Sequence, residues 1–577
     1  MKIKQFIPAF DWMPKYNNEQ LKGDLSAGLT VGVMLIPQGM AYAMIAGLPP
    51  IYGLYASTIP LIIYALLGTS RQLAVGPVAM VSLLTAAGVG ALADAGTETY
   101  ITLAITLALF VGLIQFLLGV FRLGFLVNFL SHPVVSGFTS AAALIIGLSQ
   151  LKHLLGIKLA GSHHVHEILI QAFEKIGEIH WVTFAIGITG IFLIKGIKKY
   201  SKSIPGQLVA VIFGILVVWL LGLSEQGVKI VGEVPSGLPS FSLPSFSMEN
   251  INALLPTALA ISLVSFMESI AVAKAIQSKH RNYKVVANQE LIALGLANVG
   301  GAFLQSYPVT GGFSRTAVND QAGAKTGMAS LISASLIILT LLFLTPLFYY
   351  LPNAILASVI MVAVFGLIDI KEAVHLWHAD RSDFWMLIVT FVATLGLGIE
   401  QGVGVGVVLS LAWVVYRTTR PHVAELGRVP GTHFYRNVDR FKNVEGRKDL
   451  LIMRFDASIY FANTNYFKDN LYEMADRKGN QLKTIIINSE SINNLDSSGA
   501  HALEELIDEY QSKGVKIIFT GVKGPVRDAM SKSHLTDKIG EDGFFMSVQE
   551  AVDFLEKNNP KKEKVPFSDY TLQVNEG

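Results

Sequence analysis

Apolar positions run in long blocks through roughly the first 420 residues and in short ones thereafter. Between residues 25 and 93 the only charged side chain is Arg71, and 99–121 and 326–368 carry no Asp, Glu, Lys or Arg. A bilayer-spanning helix takes about 20 apolar residues, so these blocks are too long to be single helices of a soluble core. Cutting them at Gly, Pro and charged residues predicts fourteen segments, at 25–44, 52–69, 75–92, 100–121, 124–150, 180–195, 205–223, 253–273, 286–304, 311–323, 328–350, 354–369, 384–399 and 402–417. The tenth is too short to span alone. After Pro421 the pattern changes: 450–462, 484–488 and 515–521 read as strands, and 464–478, 498–513, 524–533 and 547–557 as helices. Strands alternating with helices predict a small α/β domain.

The organisation this implies is a cytoplasmic N-terminal segment (1–23), a membrane domain (24–420), a linker (421–435), an α/β domain (436–559) and a flexible tail (560–577). Charge placement supports an even number of crossings with both termini cytoplasmic, because Lys and Arg collect in cytoplasmic loops. On this count the outer loops hold only Lys152, Lys158, Lys175 and Lys229, while the inner segments hold most of the rest, among them Arg71, Arg122, Lys195, Lys199, Lys279, Lys284, Arg381 and Arg417. The first 24 residues are polar with no apolar core, unlike a cleavable signal peptide.

Composition excludes several classes. Of 577 residues 51% are hydrophobic and 15% charged, with a net charge of +2 and a mean hydropathy of +0.48; soluble chains carry about 25% charged residues. Nearly half of the charged side chains lie beyond residue 430. No basic face is concentrated enough for nucleic acid, and the absence of cysteine removes disulfides, thiol catalysis and Cys-ligated metal. No GxxxxGK[ST] motif occurs, so ATP-driven pumping is not expected. No cofactor and no covalent enzyme chemistry is indicated.

Two interrupted segments stand out. AVGPVAM (74–80) has Gly76 to permit a turn and Pro77 suited to the first helical position; PVTGGFSR (308–315) has Pro308, Gly311 and Gly312 ahead of a helix starting at Phe313. They occupy segments three and ten, the same place in each half of a seven-plus-seven arrangement. A half-helix N-terminus in a membrane exposes unpaired N–H groups and a positive dipole end, so two facing each other would hold an anion. The competing reading is close helix packing through small residues. Arg315 adds positive charge beside Ser314, or else pairs with Asp320. Glu268 is the one charged residue between 250 and 273; such a carboxylate either binds a proton or a cation during transport or is a neutral or Lys-paired structural acid. Gln38 follows Pro37 and precedes Gly39, and either contacts a ligand or satisfies freed carbonyls. Tyr42, one turn on, is a wall of the site or core packing. Glu290 and Asn298 read as helix–helix hydrogen-bonding groups. His163, His164 and His166 lie in an outer loop, where hydration is the simpler reading than zinc. LDSSGAHAL (495–503) reads as a helix N-cap, or as a phosphorylation site at Ser498.

Taken together, VGVMLIPQGMAYAMIAGLPPIYGLY (31–55), AVGPVAM, NQELIALGLANVGG (288–301), GGFSRTAVN (311–319) and LDSSGAHAL resemble the sulfate permease (SulP) family, bacterial counterparts of the animal sulfate and anion exchangers that include prestin and pendrin. The tail resembles the STAS domain that these transporters share with anti-sigma factor antagonists. The resemblance implies an α-helical membrane protein of fourteen segments in two inverted repeats of seven, with a core (segments one to four and eight to eleven), a gate formed by the remainder that scaffolds a homodimer, and elevator-type transport of an inorganic anion. It implies a site lined by Gln38, Tyr42, Val78, Gly312, Phe313, Ser314 and Arg315, with Gly76 at the first break. Sodium-coupled bicarbonate members resemble the chain at segment eight but have Asp in place of Glu268 and Thr in place of Val272, so the likeness implies a proton rather than sodium. Phe stands at the position of Val78 in mammalian members. The serine that the antagonists phosphorylate corresponds to Ser498, which implies a regulatory site and a cytoplasmic protein partner. The expected function is proton-coupled sulfate uptake. Bicarbonate or dicarboxylate symport and chloride-coupled exchange are alternatives; a nucleobase carrier of the same fold fits the Ser314–Arg315 pair less well. A membrane-tethered signalling scaffold acting through the tail is a further alternative.

Overall fold

Each predicted apolar segment contains a helix in the computed structural model, which describes residues 6–125, 131–159, 165–200, 205–244, 247–280, 282–558 and 565–566. The chain divides into two compact units, Met1–Leu411 and Ala412–Gly577. The helices of the apolar series are α1 (Asn18–Ile45), α2 (Ile51–Leu67), α3 (Ala79–Gly90), α4 (Glu98–Val120), α5 (His132–Ser149), α6 (Trp181–Tyr200), α7 (Gly206–Leu220), α8 (Met248–His280), α9 (Ala287–Ala302), α10 (Phe313–Gln321), α11 (Met328–Phe348), α12 (Asn353–Phe365), α13 (Arg381–Leu397) and α14 (Ile399–Thr419). Among the described residues six helices are long and apolar enough to cross a bilayer singly, and the chain is a multi-pass membrane protein.

Local sequence explains the ends. Asn17 Oδ1 accepts the Gln20 N–H at 2.9 Å while Gln20 Oε1 accepts the Asn17 N–H at 3.2 Å, a reciprocal cap that starts α1. Thr97 caps α4 in one direction only, its Oγ1 accepting the Tyr100 N–H. Pro346 cannot donate to the preceding turn, and α11 accordingly passes through a π stretch (Thr340–Leu344) into a 3-10 turn (Thr345–Phe348). Glycines decide the packing: a Cβ at Gly112 on α4 would lie 2.7 Å from the Gly295 carbonyl oxygen of α9, and one at Gly28 on α1 would lie 2.7 Å from the Ala329 carbonyl oxygen of α11. Both pairs pack backbone to backbone, as membrane helices do without a hydrophobic drive between them. Val165–Glu174 and Ile370–Ala379, placed in loops by the sequence, form additional amphipathic helices.

The breaks in segments three and ten form strands. Val75–Gly76 (β1) pairs antiparallel with Thr310–Gly311 (β2), Val75 opposite Gly311 and Gly76 opposite Thr310. Helix α3 starts at Ala79, so Pro77 is not its first residue as the sequence predicts; Val78 is extended (φ −134°, ψ 143°) and is the cap. Helix α10 starts at Phe313 as predicted, capped by Gly312.

In the second unit the stretch predicted as a linker holds a strand: β3 (Val423–Arg428) is mostly buried and pairs antiparallel with β6 (Leu450–Phe455). Glu425 and Gly427 interrupt its apolar positions and hide it from a search for apolar runs. With β4 (Tyr435–Asn437), β5 (Glu445–Gly446), β7 (Thr484–Asn488), β8 (Lys516–Thr520), β9 (Phe544–Phe545) and β10 (Val565–Pro566) it forms a sheet of order β10-β5-β3-β6-β7-β8-β9, with β4 beside β3 and β6 to β9 parallel. The strand predicted over 450–462 ends at Phe455, and Ile459 makes only an isolated bridge to Leu495. Helices α15 (Thr464–Lys478), α16 (Ser497–Ser512), α17 (Gly524–Lys532), α18 (Leu535–Ile539) and α19 (Val548–Asn558) accompany the sheet. Of the predicted flexible tail only Val565–Pro566 is described, paired with Glu445–Gly446; the remainder lies outside the described residues.

Candidate functional site

The β1–β2 clasp brings the start of α10 against the start of the first break. Gly312 N–H donates to the Ala74 carbonyl at 3.0 Å, and Thr316 Oγ1 accepts the Ala74 N–H at 3.0 Å while donating to the Gly312 carbonyl at 2.7 Å. Arg315 is 2% exposed. Its Nη1 donates to the Pro77 carbonyl, whereas its Nε and Nη2 have no partner. The guanidinium lies against both glycines: a Cβ at Gly312 would come 3.1 Å from Nη2 and 3.4 Å from Val78 Cγ2, and one at Gly76 would come 3.5 Å from Nη2. Gly76 also takes φ +150°, a backbone region that side chains disfavour.

Arg315 does not pair with Asp320. That carboxylate is taken by Lys279 and His280 at the end of α8. Tyr42 is buried and within electrostatic reach of both Arg315 and Glu268. Glu268 Oε2 is buried without a partner, and among the described residues no Lys, Arg or His forms an ion pair with it. Gln38 is 2% exposed and its Oε1 is likewise unpartnered. So Gly76, Val78, Tyr42, Glu268, Gly312 and Arg315 form one neighbourhood, while Phe313 and Ser314 are exposed. Gln38 lies on the same helix as Tyr42, one turn before it.

A buried polar network holds the second break, and only part of it was visible as sequence. Asn298 Oδ1 accepts the Val309 N–H at 2.8 Å and its Nδ2 donates to the Val309 carbonyl at 3.1 Å and to Gln115 Oε1 at 3.2 Å. Gln115 Nε2 donates to Ser265 Oγ at 2.7 Å. Thr310 Oγ1 lies 2.8 Å from Ser269 Oγ, which accepts the Gly311 N–H at 2.9 Å. Asn298 thus anchors a strand as well as joining helices, and the signal for Gln115 was a lone amide in an apolar helix, whereas Ser265, Ser269 and Thr310 gave none. Glu290 accepts from Tyr64 Oη, the Thr69 hydroxyl and the N–H groups of Thr69 and Ser70, all between 2.5 and 3.2 Å.

In the second unit Asp496 caps α16, its Oδ1 accepting the Gly499 N–H at 2.7 Å and its Oδ2 the Phe461 N–H at 2.9 Å. Ser498, on the first turn, is exposed. His166 lies in Val165–Glu174, and His163 and His164 fall outside the described residues. No metal-holding cluster occurs among the described residues.

The class of protein follows from this multi-pass bundle, whose two broken helices meet around a buried arginine, once it is set beside known proteins: the family it matches is one of membrane transporters, not enzymes. Comparison with known proteins supplies the family. The sulfate permease family model matches residues 21–390 and the STAS domain model 441–551, and the chain belongs to the sulfate permease family, with a C-terminal STAS domain. It is 40% identical over 568 residues to "Sulfate transporter 4.1, chloroplastic" of Arabidopsis thaliana, covering 95% of this chain and 82% of that one. It is 36% identical over 538 residues to a probable sulfate transporter of Mycobacterium tuberculosis (strain ATCC 25618 / H37Rv), covering 93% and 96%. Among solved structures it is similar to the murine Solute Carrier 26 family member A9 anion transporter in the inward-facing state, with a TM-score of 0.89, 26% identity, and coverage of 96% of this chain and 95% of that one.

Proposed function

We propose that the chain imports an inorganic oxyanion, sulfate first among them, coupled to proton entry. The observation that carries this reading is Arg315, buried with two nitrogens unpartnered beside the starts of α3 and α10. A doubly charged tetrahedral anion offers oxygen acceptors to those N–H groups, to the α10 N-terminus and to the exposed Ser314 hydroxyl. Gln38, Tyr42, Gly76, Val78, Gly312 and Phe313 complete the lining. Glu268 would carry the proton: a carboxyl beside Arg315 that is neutral when the anion is bound and charged when it is absent links the two loads. The names of the relatives, sulfate transporters in a plant and a mycobacterium, support sulfate over bicarbonate, chloride or dicarboxylate.

On this reading segments one to four and eight to eleven move as a core against the remaining gate segments in an elevator cycle, within a homodimer in the cell's inner membrane, both termini cytoplasmic. Phosphorylation of the exposed Ser498 would place charge at the N-terminus of α16, a favourable position, and present a new surface to a cytoplasmic partner. A Ser498→Ala change that alters partner binding but leaves flux intact separates that role from transport.

The test is uptake of labelled sulfate into proteoliposomes under an inward proton gradient without sodium, with bicarbonate, chloride and fumarate as competitors. Gradient-dependent uptake blocked by unlabelled sulfate alone is the expected result. Entry of a labelled competitor but not sulfate overturns the substrate; no flux of any of them leaves the signalling scaffold as the better reading.

A further inference from the structure

A cavity of about 660 Å³ opens on the face of the membrane unit that carries the N-terminal segment, between the ends of α2, α4 and α9. Its walls include Arg71, Arg122 and Lys284, with Asp11 the one carboxylate among them. Among the described residues none of the three cations forms an ion pair, although Arg71 lies over the Tyr283 ring at 5.4 Å. Glu290, next to the lining residue Gln289, is already occupied by its bonds to Tyr64, Thr69 and Ser70. The lining itself therefore carries an excess of positive charge, three cations against the single carboxylate of Asp11.

Arg122 is informative. It ends α4 with φ +59°, in the left-handed region where glycine is favoured. Its N–H donates to the Gly119 carbonyl at 3.1 Å and the Leu123 N–H to the Leu118 carbonyl at 2.8 Å, the two bonds of a helix-terminating motif that asks for no side chain. An arginine there bears backbone strain and faces the cavity. The rim is apolar and uncovered: Phe6, Val120 and Val286 line the opening and are each more than two-fifths exposed, and Phe121, beside Val120, is 68% exposed. Unpaired cations within and bare apolar side chains at the mouth suit an amphiphile that carries a negative phosphate and an acyl chain, and a free phosphate would leave the rim unused.

We propose that this cavity binds the headgroup of an anionic phospholipid, its phosphate held by Arg71, Arg122 and Lys284 and its acyl chains lying along Val120, Phe121 and Val286. The cavity lining shares no residue with the candidate anion site, and the proposal does not rest on the identity of the transported ion. The test is the thermal midpoint of the full-length protein in detergent, titrated with phosphatidylglycerol, phosphatidylcholine or glycerol 3-phosphate. A rise of several degrees with phosphatidylglycerol alone is expected, reduced by at least half in a combined Arg71→Gln, Arg122→Gln, Lys284→Gln variant. Arg122→Gly guards against a misfolded variant: it relieves the backbone, so its midpoint without lipid should equal or exceed that of the native chain while its lipid response falls. An equal response to phosphatidylcholine, an unchanged response in Arg122→Gly and the combined variant, or a full response to glycerol 3-phosphate each overturns the proposal.

Discussion

The α/β unit and the broken-helix site of the membrane unit treat buried charge in opposite ways. In the α/β unit Lys478, whose side chain is 1% exposed, sits 2.7 Å from Glu425 and also donates to the Arg447 carbonyl at 3.1 Å. Arg454, His422 and Ser491 converge on Asp456. In the membrane unit Arg315 has one protein partner and two orphan nitrogens, and Glu268 and Gln38 each bury an oxygen with none. A buried polar group without a partner costs about 1–3 kcal/mol, more when charged. That penalty has a rationale where a ligand supplies the missing bonds, so complete pairing marks architecture and incomplete pairing marks a place to bind.

The largest expected effect is on the paired side. Lys478→Met leaves Glu425 buried and alone, which should cost the α/β unit about 3–5 kcal/mol, read as faster hydrogen exchange across β6, β7 and β8. Adding Glu425→Leu should restore most of it; a double variant as unstable as the single one would show that the pair supplies more than charge balance. On the unpaired side, Arg315→Ala should weaken anion binding by about 10- to 100-fold, the range for hydrogen bonds to a charged group, while the thermal midpoint without anion stays level or rises. Loss of stability with unchanged affinity would place Arg315 among the structural charges and break the contrast.

Glu268→Gln sharpens it further. It keeps shape and removes the titrating group, so binding should hold within a few-fold while proton-driven accumulation disappears; uptake with an unaltered pH dependence removes Glu268 from coupling. The smallest effect is at Asp456. Burial opposes its charged form, but hydrogen bonds from Arg454, His422 and Ser491 outweigh it and hold the carboxyl below the usual carboxylate range. A carboxyl lowered on folding stabilises above its unfolded value, and that contribution is lost as pH falls through the folded one. The α/β unit should therefore weaken on acidification below the carboxylate range, and Asp456→Asn should blunt that acid sensitivity, measured as exchange rates against pH.

Much of this was legible because long apolar runs, helix-breaking glycines and a solitary Arg315 are properties of sequence alone. The start of α10 at Phe313 followed from Gly311 and Gly312, and the strand Thr484–Asn488 from its unbroken apolar run. Other features depend on distant partners. Pro77 is a favourable first helical residue locally, but its carbonyl is held by Arg315, and the helix begins two residues later. Strand β3 was hidden because Glu425, polar by type, is buried by Lys478, which lies far along the chain. No local pattern distinguishes an Asn298 that joins helices from one that clamps Val309.

The clasp between β1 and β2 also sets a timetable for biogenesis. Ala74 and Thr316, which it brings together, stand 242 residues apart in the chain. At about 5–20 residues per second of synthesis, the first half waits on the order of 10–50 s for its partner strand. During that interval the Ala74 N–H and carbonyl, and the edge of β1, lack the acceptors and donors they will have in the finished protein, in a solvent that offers few substitutes. The nascent chain is most exposed to quality control then, and a ribosome stall between the two breaks should be more damaging than one after Gly312.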